Sequence, residues 1–340
     1  MRGSKIVIGG ALLAMTYVGG AAAADLTLVA SGGQFQESMK KAWWDPVAKQ
    51  LGITIAEDSQ QKAAELRTMV ESGNVSWDVL QLGGYSCGLV SDGKLAEKLD
   101  YNVIKTDGIR AQVVKDYYVG SDEYTMSIAY SKKKYGSNPP QNWADFWDVK
   151  KFPGTRAMLN KPNFSLETAL LADGVAGDKL YPIDEERALR KIKELKPAVK
   201  VFYTTGGQGT QLIRDGEADL VAIFTNRAQD AIKDGADYGI ITDQSVVDID
   251  CYVIPKGSKH KDLAMKFIGG MVSPEINGKI AELTDVAPIN QKAWPNISEA
   301  RRKTLTTNPE NKTRLVYLNQ EWWGPNLDRL SQVYTAAISN

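Results

Sequence analysis

Histidine is almost missing from this chain: His260 is the only one among 340 residues. A metal centre built on imidazoles, or catalysis by a histidine base, would lack its usual groups. Cysteine is nearly as scarce, with Cys87 and Cys251 alone, which excludes Cys-based zinc clusters and a disulfide-dense scaffold. Neither sign of charge is in excess, since 41 Lys and Arg face 41 Asp and Glu. That balance argues against a nucleic-acid partner, which calls for a basic stripe. No apolar run reaches the roughly 18 to 20 residues of a membrane span. With 43% apolar and 24% charged residues, the chain has the composition of a well-cored globular protein.

The N-terminus carries a pattern of its own. Arg2 and Lys5 precede an apolar run from Ile6 to Val18, and Ala22-Ala23-Ala24 follows. A basic region, a short apolar run and small residues in that order predict a secretory signal peptide over residues 1–24, cleaved near Ala24. The expected location is the periplasm, an oxidising space. There, Cys87 and Cys251 could pair, because a long intervening loop adds little to the cost of closure. Two buried free thiols are the other reading.

From Asp25 onward short β-rich runs alternate with helical ones. Leu26 to Ala30 reads as a strand, Gln36 to Gln50 as a helix, Ile53 to Ala56 as a strand and Ala63 to Ser72 as a helix. Trp77 to Leu82 follows as a buried strand broken by Gly83-Gly84. This alternation predicts an α/β fold of largely parallel sheets, in which loops at the carboxyl ends of strands hold ligands. Two extended runs, Tyr124 to Tyr130 and Val246 to Ile254, look like crossings into and out of a second lobe. The length suits two domains with a site between them. The expected division is 25–126 plus 252–297 for one lobe and 127–251 plus 298–340 for the other.

Enzymatic motifs are incomplete. His260 sits in a lysine-rich turn, Ser38-Met39-Lys40-Lys41 lacks the partner motifs of Ser-x-x-Lys chemistry, and Gly206-Gly207-Gln208-Gly209 lacks the Lys-Ser or Lys-Thr of a phosphate loop. No catalytic residue, metal ligand or cofactor is expected. Aromatic residues say more. Phe35, Tyr85 and Phe224 fall near candidate loops, and with Asp250 on the returning strand they suggest an aromatic box around an amine neutralised by a carboxylate.

Several segments together resemble the extracellular solute-binding proteins of the spermidine/putrescine-binding type. They are Trp77-Asp78-Val79-Leu80, Asn142 to Asp148 before Phe152-Pro153-Gly154, Leu170 to Gly174, Asp215 to Asp219, Val253 to Ser258, Ser273-Pro274-Glu275 and Pro288-Ile289-Asn290. The resemblance covers nearly all of the chain after residue 24. It implies a two-lobe periplasmic-binding-protein fold of type II, with mixed sheets flanked by helices and a multi-segment hinge. It also implies a monomer that delivers a small amine or ω-amino acid to an inner-membrane ABC permease. The family's ligand loops match Ser31 to Phe35 (with Ser31, Gln34 and Phe35), Gly84 to Ser86 (with Tyr85 and Ser86), and Ser165 to Glu167 (with Ser165 and Glu167). They also match Gly207-Gln208, Phe224 to Arg227 and Asp248 to Asp250.

Phe224 stands where polyamine binders of this type typically place tryptophan, Asn226 replaces a glycine, and the first loop lacks a tryptophan pattern. These departures point away from a long polyamine. Arg227 has two readings: a structural arginine paired with a carboxylate such as Asp230, or a planar fork that takes a ligand carboxylate. In the second reading Arg227 and Asp250 select a short zwitterion such as 4-aminobutyrate, with putrescine as the competing ligand. A periplasmic enzyme acting on a small amine, or a ligand-loaded partner of a membrane sensor, are the remaining classes.

Overall fold

The computed structural model describes residues 24–59 and 63–339, so all but the last residue of the predicted signal peptide lie outside it. Ten strands form one mixed sheet: β1 (Leu26–Val29), β2 (Ile55–Asp58), β3 (Val79–Gly83), β4 (Val119–Ser131), β5 (Arg156–Leu159), β6 (Val199–Tyr203), β7 (Leu220–Phe224), β8 (Tyr238–Val253), β9 (Ala287–Pro288) and β10 (Leu315–Tyr317). Their order is β2-β1-β3-β8-β4-β7-β5-β6, with β10 added beside β8 and β9 beside β4. Among the described residues, β1 pairs in parallel with β2 and β3, β5 with β6 and β7, and β10 with β8. The centre of the sheet is antiparallel, through β3, β4, β7 and β8.

Both expected crossings are strands, and both are longer than the apolar pattern suggests: β4 has 13 residues and β8 has 16. They pair with each other along most of that length, and register shifts fall between Gly120 and Asp122 and between Met126 and Ile128. Polar residues such as Ser121, Asp122, Thr125 and Ser127 interrupt the run in sequence, yet all are buried. Mutual backbone pairing, not apolar periodicity, carries the strands past them.

Two large apolar cores lie at the two ends of these strands. One gathers Leu26 to Val119 with Ile249 to Ile289, including Trp43, Trp44 and Phe267. The other gathers Met126 to Val246 with Val316 to Ile338, including Trp143, Phe146 and Trp323. The helix Glu185–Leu195 is capped by the Asp184 side chain and buries Ala188, Ile192 and Leu195, the spacing of one helical face. Cys87 and Cys251 form a disulfide within the first core, with Cα atoms 6.1 Å apart. The β3–β8 register sets this up by placing Cys251 opposite Leu82, five residues before Cys87.

Two glycines permit a close contact across the cores. The last helix, Gln320–Ser339, belongs to the second core and crosses the 3-10 segment Gly84–Val90 of the first. A Cβ on Gly88 would stand 1.9 Å from the Gln320 carbonyl oxygen, and one on Gly324 would stand 2.7 Å from the Gly88 carbonyl carbon. Backbone meets backbone here, so no side chain fits.

Candidate functional site

A cavity of about 230 Å³ opens between the cores. Gly83 to Ser86, following β3, form one wall. Lys161, Asn163 and Phe164, following β5, and Phe224, ending β7, form the opposite wall. Tyr124 and Asp248 from the crossing strands complete it. All three loops follow carboxyl ends of strands, where the backbone leaves the sheet and frees its polar groups. The volume is below the roughly 300 to 1,000 Å³ of drug-sized pockets, so the space suits a small ligand.

Three aromatic rings make one side. Phe164 and Phe224 meet edge to face with centroids 5.3 Å apart, and Tyr124 lies 5.7 Å from Phe224 and 6.3 Å from Phe164. Phe164 adopts a φ of 71°, a left-handed conformation that a bulky residue rarely takes. Such strain costs on the order of 1 to 3 kcal/mol and clusters at functional sites. Asn163 is 4% exposed, and its Oδ1 has no hydrogen-bond partner among the described residues.

Carboxyl groups gather on the crossing strands. Asp248 accepts hydrogen bonds from the Tyr124 hydroxyl at 3.0 Å and Gln320 Nε2 at 2.7 Å. Burial still holds its carboxyl above the usual range. Asp250 pairs in register with Gly83 on one side and Asp122 on the other. Its Oδ1 stands 3.4 Å from where a Cβ on Gly83 would sit. Burial pushes its carboxyl well up, and the charges of Asp122 and Asp248 push it further. Asp122 is fully buried and raised to about 7 by that burial. Among the described residues none of these three acids makes an ion pair; Lys161 on the cavity rim is the basic group whose charge reaches Asp248. A carboxylate group that costs this much to ionise, beside a small aromatic-walled space, favours an ammonium.

Of the residues singled out in the sequence, Tyr85, Ser86 and Phe224 line this cavity, and Asp250 borders its Gly83-Gly84 wall. Ser31 and Gln34 are exposed and do not line it, and Phe35 packs on the first core. Gly207 and Gln208 are exposed at the start of the helix Gly206–Arg214, where Gln208 closes a capping box with Thr205. Ser165 and Glu167 face away. Ser165 Oγ donates to the Leu159 carbonyl and accepts from the Tyr334 hydroxyl, while Glu167 accepts from the Tyr181 hydroxyl and Trp323 Nε1, both at 2.6 Å. The chain turns over at Phe164, so the cavity receives Lys161, Asn163 and Phe164 and the core receives Ser165 and Glu167. Arg227 is exposed in the helix Thr225–Lys233, with Nη1 4.0 Å from Asp230 Oδ2 and its side chain lying against Gly206. It does not line the cavity and lies three residues beyond the lining Phe224.

Comparison with known proteins decides the family. Residues 42–313 match the family described as bacterial extracellular solute-binding protein. The chain belongs to this solute-binding family. A relative named gamma-aminobutyric acid-binding protein, from Pseudomonas aeruginosa, is 29% identical over 334 residues, covering 95% of this chain and 94% of that protein. An ABC transporter substrate-binding protein from Bradyrhizobium japonicum superimposes with a TM-score of 0.84 at 35% identity, covering 92% and 99% of the two chains. A solved GABA receptor gives 0.83 at 32% identity over 92% and 97%. MotA from A. tumefaciens B6, solved in complex with glucopine, gives 0.77 at 36% identity over 92% and 99%. The family is one of solute binders rather than enzymes, and the Bradyrhizobium neighbour is the substrate-binding protein of an ABC transporter. The fold of this chain is that of the periplasmic binding proteins.

Proposed function

We propose that the cavity binds a short ω-amino acid such as 4-aminobutyrate and that the protein hands it to an inner-membrane permease. The observation that carries this reading is the cluster of Asp248 and Asp250 at an aromatic-walled cavity, with Arg227 beyond Phe224 on the opposite core. The carboxylates take the ammonium. Closure of the two lobes about β4 and β8 brings the Arg227 guanidinium, held only loosely by Asp230, onto the ligand carboxylate. The names of a relative and a structural neighbour support the same ligand. In this reading residues 1–24 are an export signal removed near Ala24, the mature chain works in the periplasm as a monomer, and each core belongs to one lobe.

A polyamine is the second reading, favoured by the surplus of acids: Asp122, Asp248 and Asp250 lie near one another, and Lys161 is the cation whose charge reaches Asp248. A titration panel of 4-aminobutyrate, putrescine, spermidine and glucopine separates the candidates. A ligand at about 100 times its Kd raises stability by roughly 2.7 kcal/mol. We expect 4-aminobutyrate to do so. Asp250→Ala should abolish the shift, and Arg227→Ala should weaken 4-aminobutyrate while sparing putrescine. Stabilisation by putrescine or glucopine without 4-aminobutyrate rejects the ω-amino-acid reading.

A further inference from the structure

Asp122 plays no part in the ligand contacts above, yet it is fully buried and paired in register with Asp250. Directly opposed residues of an antiparallel pair have Cβ atoms about 4.5 to 5.5 Å apart on the same face. Two carboxylates so placed cannot both ionise cheaply away from water. Asp122 Oδ1 accepts from the Ser121 hydroxyl at 2.6 Å and from Gln81 Nε2 at 3.2 Å. Its Oδ2 is buried with no hydrogen-bond partner among the described residues, so nothing there offsets the cost of a full negative charge.

Among the described residues, those packed around it offer no cation in its place. On β4 the neighbours are Glu123, already paired with Arg110, and Tyr124; on β8 they are Asp248 and Tyr252. β3 presents Gln81 and Gly83, and β9 presents Pro288. Lys161 acts on Asp248 from the rim, and Gln320 on the last helix hydrogen-bonds Asp248.

We infer that Asp122 and Asp250 hold one proton between them while the site is empty and release it when a ligand ammonium enters. The inference rests on the cavity taking an ammonium. The balance is simple: the ammonium keeps its own protons, the acid pair goes from one negative charge to two, and one proton leaves to buffer. Asp250 touches the ligand; Asp122 is a positioning residue that acts through it. Binding therefore favours the deprotonated pair, so affinity rises with pH and levels off once the empty pair is ionised.

Isothermal titration of the full mature protein with 4-aminobutyrate and with putrescine, in buffers of different ionisation enthalpy, counts the proton directly. Both probes keep their charges between about pH 6 and 8, because simple carboxyl and amino groups titrate near 4 and 10. Wild type should release roughly half to one proton per ligand near pH 6.5, with Kd weakening up to about tenfold per pH unit below the plateau. Asp122→Asn should bind with Kd constant within about twofold and release none. Binding by wild type with no proton release overturns the inference and leaves the amine reading intact. An unchanged pH slope in Asp122→Asn also overturns it. Failure of both probes to bind removes the inference together with the reading beneath it.

Discussion

Glu167 shows how far a buried acid's role depends on which way it points. It is fully enclosed, with Oε1 held by Tyr181 and Trp323 and Oε2 without a hydrogen-bond partner among the described residues. Burial pushes its carboxyl up from 4.5 to about 7. The folded state thus prefers the protonated acid. Stability from this preference is complete below about pH 4.5 and is lost as pH rises through about 7. Glu167→Gln keeps the acceptor and removes the charge. It should be more stable than wild type at about pH 8, by on the order of 3 kcal/mol, and equal to it near pH 4.5, read by denaturant unfolding at each pH. Asp250 differs because it borders the cavity. Removing a charge partner of a desolvated ammonium costs roughly 2 to 5 kcal/mol, so Asp250→Ala should weaken an amine ligand at least 30-fold while leaving the fold intact, as titration calorimetry would show. From sequence, both residues fell in matched ligand loops. Only the reversal at Phe164 separates them, and a left-handed phenylalanine leaves no local pattern to read.

At the level of elements, the positions without side chains decide the packing. Gly88 lies where the segment Gly84–Val90 meets the helix Gln320–Ser339, and an added Cβ would strike a backbone carbonyl that cannot move aside. Gly88→Ala should cost about 3 kcal/mol, at the upper end of overpacking. Gly207→Ala should cost almost nothing, because its nearest neighbour would be 3.9 Å away. Thermal unfolding of the two variants side by side tests this contrast. Several elements were legible: the helix Ala63–Ser72 falls where its pattern put it, and the strand Leu26–Val29 lies within the run expected for it. The extra length of β4 and β8 was not legible. It comes from pairing between residues more than a hundred apart, which overrides the polar residues along both strands.

On the scale of the molecule, two cores share two long strands, and one disulfide ties Cys87 to Cys251 across 164 residues. A loop that long gives an entropic stabilisation of about 5 kcal/mol in the chain-entropy account. The double variant Cys87→Ala, Cys251→Ala should therefore melt at a markedly lower temperature. It should still bind ligand, because neither cysteine lines the cavity. Small-angle scattering should show a smaller radius of gyration with saturating 4-aminobutyrate if the lobes close on it, and no change would count against closure about β4 and β8.

The residue order alone determined the α/β class, the positions of most strands and helices, the scarcity of catalytic groups and the family resemblance, because each depends on neighbours within a turn or a motif. It also singled out Tyr85, Ser86, Phe224 and Asp250, which fall at or beside the cavity. The tertiary structure decided which acids stand together and which rings enclose them. Asp122 meets Asp250, and Tyr124 meets Phe164 and Phe224, through strand register and loop reversal. Those contacts join distant parts of the chain, and their energies depend on burial, a property of the packed molecule that no local run of residues carries.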